Sequence, residues 1–162
     1  MRLTLIAVFM SVSALMVGCG KSPSSGGAGS IYLTTTEPAG AVGVAAAKGG
    51  TDESITVVGR IGGSEKPFVE GLAAFTIVDP QIEPCGKEEG CPTPWDYCCA
   101  QDKMKDNLAT VKVVDAKGAP VSGDAKELLK VKELSTVVVQ GKRQSDAEGN
   151  LTILASKVFV KD

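Results

Sequence analysis

The nine residues from Cys91 to Cys99, "CPTPWDYCC", hold three of the five cysteines, the only tryptophan and one of the two tyrosines of a 162-residue chain. With Cys85 just upstream, the pattern is C-x5-C-x6-C-C. Sulfur at this density supports three kinds of chemistry: a pair of disulfides, a thiolate metal site, or a reactive thiol pair. The chain has no histidine, which removes Ser-His-Asp and Cys-His nucleophile pairs and every imidazole ligand. A metal held here would be bound by sulfur alone, zinc by four thiolates or Cu(I) by a softer set.

Parity and spacing rank the three. Once Cys19 is set aside for the reason given below, Cys85, Cys91, Cys98 and Cys99 remain, an even number suited to two disulfides in an oxidising exported compartment. Neighbouring Cα atoms lie about 3.8 Å apart, short of the roughly 4.4 to 6.8 Å that disulfides prefer. Cys98 and Cys99 are therefore expected to reach outward, one to Cys85 and the other to Cys91, which leaves two connectivities. The metal site ranks second: C-x5-C and C-x6-C-C are not paired C-x2-C knuckles, and an extended chain sends Cys98 and Cys99 to opposite sides unless a tight turn reunites them. A reactive pair ranks last, since C-x-x-C is absent and the acidic Asp96 disfavours a thiolate beside it. Trp95 and Tyr97, two apart, share a face if the segment is extended. They are expected to cover sulfurs or plug a barrel end, with an exposed platform for a ligand or partner as the alternative. Glu88 and Glu89, in "GKEEG", read as a solvated turn.

Positioning this loop requires a scaffold, and the chain supplies one in order. Met1 and Arg2 precede an apolar run from Leu3 to Val17 that ends in "MVGC", Met16 to Cys19. This is the layout of a secretory signal, and "MVGC" resembles the bacterial lipobox, with methionine where leucine is usual. The resemblance implies a signal peptide over 1–18 and lipidation of Cys19, whose acyl chains would anchor the chain to a membrane of the cell envelope. Residues 19–50, rich in Gly, Ser and Thr, read as a flexible tether with a short helix near Ala41 to Lys48. Residues 51–162 form one domain.

In that domain, β-branched runs bounded by turn residues predict strands over 54–63, 71–79, 108–116, 135–144 and 150–161. Asp124, with Glu127 three residues on, predicts a short capped helix before the fourth strand. The order βββαββ resembles the OB-fold, a small five-stranded Greek-key barrel, with the Cys-rich loop 79–107 inserted between the second and third strands. A loop of that length without structure of its own needs a clamp or a function. Gly59, Gly62 and Gly63 are expected to let the first strand curl. The combination of lipobox, "VVGRIGG", "AAFTIVD", "CPTPWDYCC" and "STVVVQGK" is similar to a family of bacterial lipoproteins of unassigned function, and that resemblance implies no catalytic residues.

An OB-like barrel raises the question of nucleic acid, and the charge answers it. From Asp52 onward 14 basic residues face 18 acidic ones, no basic stripe is present, and Phe75 alternates with Ala73 and Ile77 as a core face does. "GRIGGSEK" lacks the spacing of a phosphate-binding loop. The reading is a non-catalytic binding or structural module of the envelope, lipid-anchored, with a disulfide-stapled loop and an envelope protein or small ligand as partner. A thiolate metal-binding lipoprotein, zinc or copper, is the alternative. Cys19→Ser, once the signal is cleaved, is expected to move the protein from the membrane fraction to the soluble fraction, because the tether then carries no acyl chain.

Overall fold

The structure is a computed structural model that describes residues 31–161. Cys19 and the signal segment 1–18 lie outside the described residues. Five strands close into a barrel: β1 (Ser54–Ile61), β2 (Ala74–Val78), β3 (Leu108–Val113), β4 (Thr136–Ser145) and β5 (Leu151–Lys161). Neighbours run β1-β2-β3-β5-β4, and β4 pairs back onto β1. All pairings are antiparallel except β3 with β5. This is the strand order of the OB-fold Greek key that the sequence predicts.

Alternation explains the closure. Ile55, Val57 and Ile61 of β1, Ala109, Val111 and Val113 of β3, and Val137 and Val139 of β4 point inward, each two residues from the last or a multiple of two. Phe75 and Ile77 of β2 fill the middle of the same core, so Phe75 is a packing residue and not a stacking platform. On β5 the inward set shifts from Leu151, Ile153 and Ala155 to Val158. The cause is a bulge: Gln140 pairs with Lys157 and Gly141 with Ala155, which leaves Ser156 as the extra residue. A Cβ at Gly141 would lie 2.2 Å from the Leu154 carbonyl oxygen, so only glycine lets the two backbones approach there.

One barrel end is sealed by α3 (Ala125–Leu129), which buries Ala125 and Leu129. Asp124 caps it as expected, its Oδ1 accepting the Lys126 amide at 2.8 Å. Among the described residues no helix is long and apolar enough to cross a membrane.

The expected tether is corrected over residues 31–43, while the short helix expected near Ala41 to Lys48 is present at Val44–Gly49. From residue 31 the chain lies against the barrel: Leu33 bridges Val158 and Val42 bridges Val57, both parallel. Then α1 (Val44–Gly49) inserts Val44 and Ala47 into the main core. Isolated apolar residues in a Gly- and Thr-rich stretch carry no periodicity, yet each finds a slot along β1 or β5. The N-cap position of α1 is Gly43, which has no side chain to offer. Asp79, buried at the end of β2, supplies the missing acceptor: Oδ2 takes the Ala45 amide and Oδ1 the Gln81 amide, both at 3.0 Å.

Asp79→Ala would leave both amides without their charged acceptor. Urea unfolding is expected to show a loss of about 2–3 kcal/mol, with faster exchange of the α1 amides than in the parent.

Candidate metal centre

The Cys loop is not the unstructured segment expected. It contains 3₁₀ turns at Lys87–Glu89, Pro94–Asp96 and Cys98–Ala100, and ends in α2 (Gln101–Asn107). At its base the Asp79 amide donates to the Asn107 carbonyl at 2.8 Å, which joins the loop's two ends where β2 stops and β3 starts.

The turn before the vicinal cysteines is braced by one carboxylate. The Thr93 hydroxyl donates to Asp96 Oδ2 at 2.7 Å, and Asp96 Oδ1 accepts the Cys98 amide at 2.8 Å. The Thr93 hydroxyl, helped by that amide, holds the Asp96 carboxyl below its ordinary range. Tyr97 follows with φ 55° and ψ 36°, a left-handed backbone that reverses the chain. Such a conformation costs a residue with a Cβ about 1–3 kcal/mol. The Tyr97 ring, fully buried against Val78 and Met104 with Ile82, Ala100 and Leu108 around it, offsets that cost. Its hydroxyl has no hydrogen-bond partner among the described residues, and burial pushes its pKa up despite the Arg60 guanidinium nearby. That guanidinium donates to the Ile82 carbonyl at 3.2 Å and pairs with Glu83 at 3.5 Å.

Trp95 and Tyr97 therefore do not share a face. Tyr97 plugs a second small core beneath the loop, whereas Trp95, half-buried, donates from Nε1 to the Glu65 carbonyl at 3.1 Å. The Trp95 carbonyl accepts the Gly63 amide at 2.8 Å. A Cβ on Gly62 would meet that carbonyl oxygen at 2.5 Å and the Tyr97 ring at 2.9 Å. Gly62, expected to bend the strand, is the gap that admits the loop.

These anchors bring all four sulfurs to one point. Cys91 Sγ is 3.0 Å from Cys98 Sγ and 3.7 Å from Cys99 Sγ, while Cys98 Sγ is 3.3 Å from Cys85 Sγ and 3.7 Å from Cys99 Sγ. The whole set lies within 4.8 Å. No pair of these sulfurs is at disulfide-bonding distance, and the four meet at one point, where the sequence allowed either two bridges or a thiolate site. The convergence is local in origin: after the left-handed Tyr97, the 3₁₀ turn at Cys98–Ala100 keeps neighbouring side chains on the same side, which an extended strand would not. For Zn–S bonds of about 2.3 Å, a regular tetrahedron sets its sulfurs about 3.8 Å apart. Two of the observed separations, both 3.7 Å, match that figure, while those at 3.0 and 3.3 Å are shorter.

The electrostatics suit a cation. The Cys85 thiol is lowered, chiefly by the Cys99 amide directed at its sulfur. Cys98 is raised, first by its contact with Cys91, and Cys99 is pushed up to about 12, first by its contact with Cys85. Adjacent thiolates repel one another, and a bound metal ion would offset that charge. Cys85 is buried, Cys91 half-buried, and Cys98 and Cys99 are exposed. A cleft of about 340 Å³ flanks Cys85 and Cys99, with Glu83, Glu89 and Lys103 on its walls. Glu89 also closes the expected "GKEEG" turn, its Oε2 accepting the Gly86 amide at 2.6 Å.

Sequence reasoning missed Asp79 and the bracing role of Asp96. The Thr93 to Asp96 spacing was a usable signal for the second; a lone acid ending an apolar strand was the signal for the first. No protein-family model, curated protein or solved structure matches the chain.

Two substitutions at Tyr97 separate its ring from its hydroxyl. Tyr97→Phe removes an unpartnered group and is expected to hold or slightly raise the urea midpoint, whereas Tyr97→Ala is expected to lose about 3–5 kcal/mol and to scatter the sulfurs.

Proposed function

We propose that this chain is a metal-binding protein of the cell envelope, held to a membrane through a lipidated Cys19, whose OB-like barrel presents one tetrathiolate zinc site formed by Cys85, Cys91, Cys98 and Cys99. The observation that carries it is the convergence of four sulfurs within 4.8 Å, a set of ligand type and number that suits zinc. Zinc is favoured over Cu(I) because four sulfurs converge where a softer two- or three-sulfur set would suffice for copper. With four protein ligands no coordination position is left for substrate, so the site is structural or metal-storing and not catalytic. The address rests on "MVGC" and its apolar run, and the exclusion of nucleic acid rests on the acidic domain.

The chain's own residues prepare the site. The Cys99 amide favours a thiolate at Cys85, the Asp96 carboxylate fixes the Cys98 backbone, and the Cys85 amide donates to the Pro94 carbonyl at 3.2 Å, tying the two arms of the loop together. Bound zinc would supply the positive charge that lets all four sulfurs ionise together.

Elemental analysis and thiol counting on the purified full chain test this. One zinc per chain is expected, with Cys85, Cys91, Cys98 and Cys99 alkylated only after chelation, and Cys98→Ser is expected to weaken zinc binding by about tenfold or more. Metal-free protein without alkylatable thiols at these positions would refute the site and restore the disulfide pair. Chelation is expected to loosen the loop while the barrel persists, because the main core lies outside it.

A further inference from the structure

We propose that the sulfur site is redox-gated: thiol–disulfide exchange beginning at Cys98 closes a Cys91–Cys98 bridge and releases the metal. This rests on the zinc reading above and names what regulates that site. Three observations carry it. Cys98 is exposed, so a small disulfide can reach it. Its sulfur is the hub of the cluster, within 3.0 Å of Cys91, 3.3 Å of Cys85 and 3.7 Å of Cys99, and Cys91 is the nearest of these. The loop, finally, has anchors other than its sulfurs.

That third point decides whether release is reversible. The buried Tyr97 ring, the Gly63 amide on the Trp95 carbonyl, the Trp95 indole on the Glu65 carbonyl and the Asp96 brace would all survive loss of a metal. Closing the bridge brings Cys91 and Cys98 sulfurs from 3.0 Å to about 2.05 Å, a small movement for two side chains. Bridging the vicinal pair, Cys98 with Cys99, would be strained, as their backbone spacing is too short.

The chemistry balances with a low-molecular-weight disulfide, R–S–S–R, as oxidant. Cys98, which bound zinc would hold as a thiolate, attacks one of its sulfurs, forming Cys98–S–S–R and expelling RS⁻. The Cys91 thiolate then attacks the Cys98 sulfur, forming the Cys91–Cys98 bond and expelling the second RS⁻. Two electrons pass from the protein thiolates to the added disulfide. Two of the four anionic ligands are thereby lost, and the metal is left with Cys85 and Cys99 beside an open cleft.

The test uses the zinc-loaded full chain and oxidised glutathione, with released zinc followed by a chromogenic chelator too weak to strip the reduced protein. Zinc content before oxidation reports on the site itself, and a chain that takes up none refutes the site and the gate together. With zinc present at the start, one zinc is expected to leave per two thiols lost, peptide mapping should find Cys91 joined to Cys98 first, and a reductant with added zinc should restore the site. Zinc retained with all four thiols intact would overturn the gate and leave the site standing, as would release with a different first bridge.

Discussion

Tyr97 combines a left-handed backbone with a fully buried ring, and the sulfur site depends on that combination. The left-handed Tyr97 turns the chain into the 3₁₀ turn at Cys98–Ala100, whereas an extended chain through Cys98 and Cys99 would project them to opposite sides. The left-handed turn is unfavourable for a tyrosine on local grounds. It persists because the ring fills the space between Val78 at the end of β2, Met104 of α2 and Leu108 at the start of β3. Packing thus fixes a backbone angle, and the angle fixes where the sulfurs go.

The molecule consequently has two cores with separate duties. The larger holds the barrel closed and takes in α1 and α3. The smaller lies under the Cys loop and couples it to the strand ends that bracket it. Between the two sits Asp79, whose carboxylate binds the start of α1 and the first turn of the loop, and whose amide reaches Asn107 at the loop's far end. A change at the sulfurs is therefore confined to the loop, while a change at Asp79 is felt by the N-terminal segment and the loop at once.

The barrel was legible in the sequence because Val and Ile alternate in runs bounded by Gly, Asp and Pro, and because Asp124 marks the one helix between the third and fourth strands. The bulge at Ser156 was not, since one added residue changes the phase of β5 only through pairing with Gln140 and Gly141. The short helix near Ala41 to Lys48 was legible and is present as α1, whereas Leu33 and Val42 show no periodicity of their own and pair with Val158 and Val57 on other elements. The four cysteines were legible as one cluster. The tight turn that would reunite Cys98 and Cys99 was open in the sequence but not fixed by it, because the ring that accompanies the turn packs on Val78, Met104 and Leu108 from elsewhere in the fold.

Sulfur convergence is the claim on which the functional reading stands, and X-ray absorption at the zinc edge of the purified chain addresses it directly. The account predicts a single shell of four sulfur scatterers at about 2.3 Å. A shell dominated by nitrogen or oxygen would contradict it, as would zinc-free protein with its four loop sulfurs joined in disulfides.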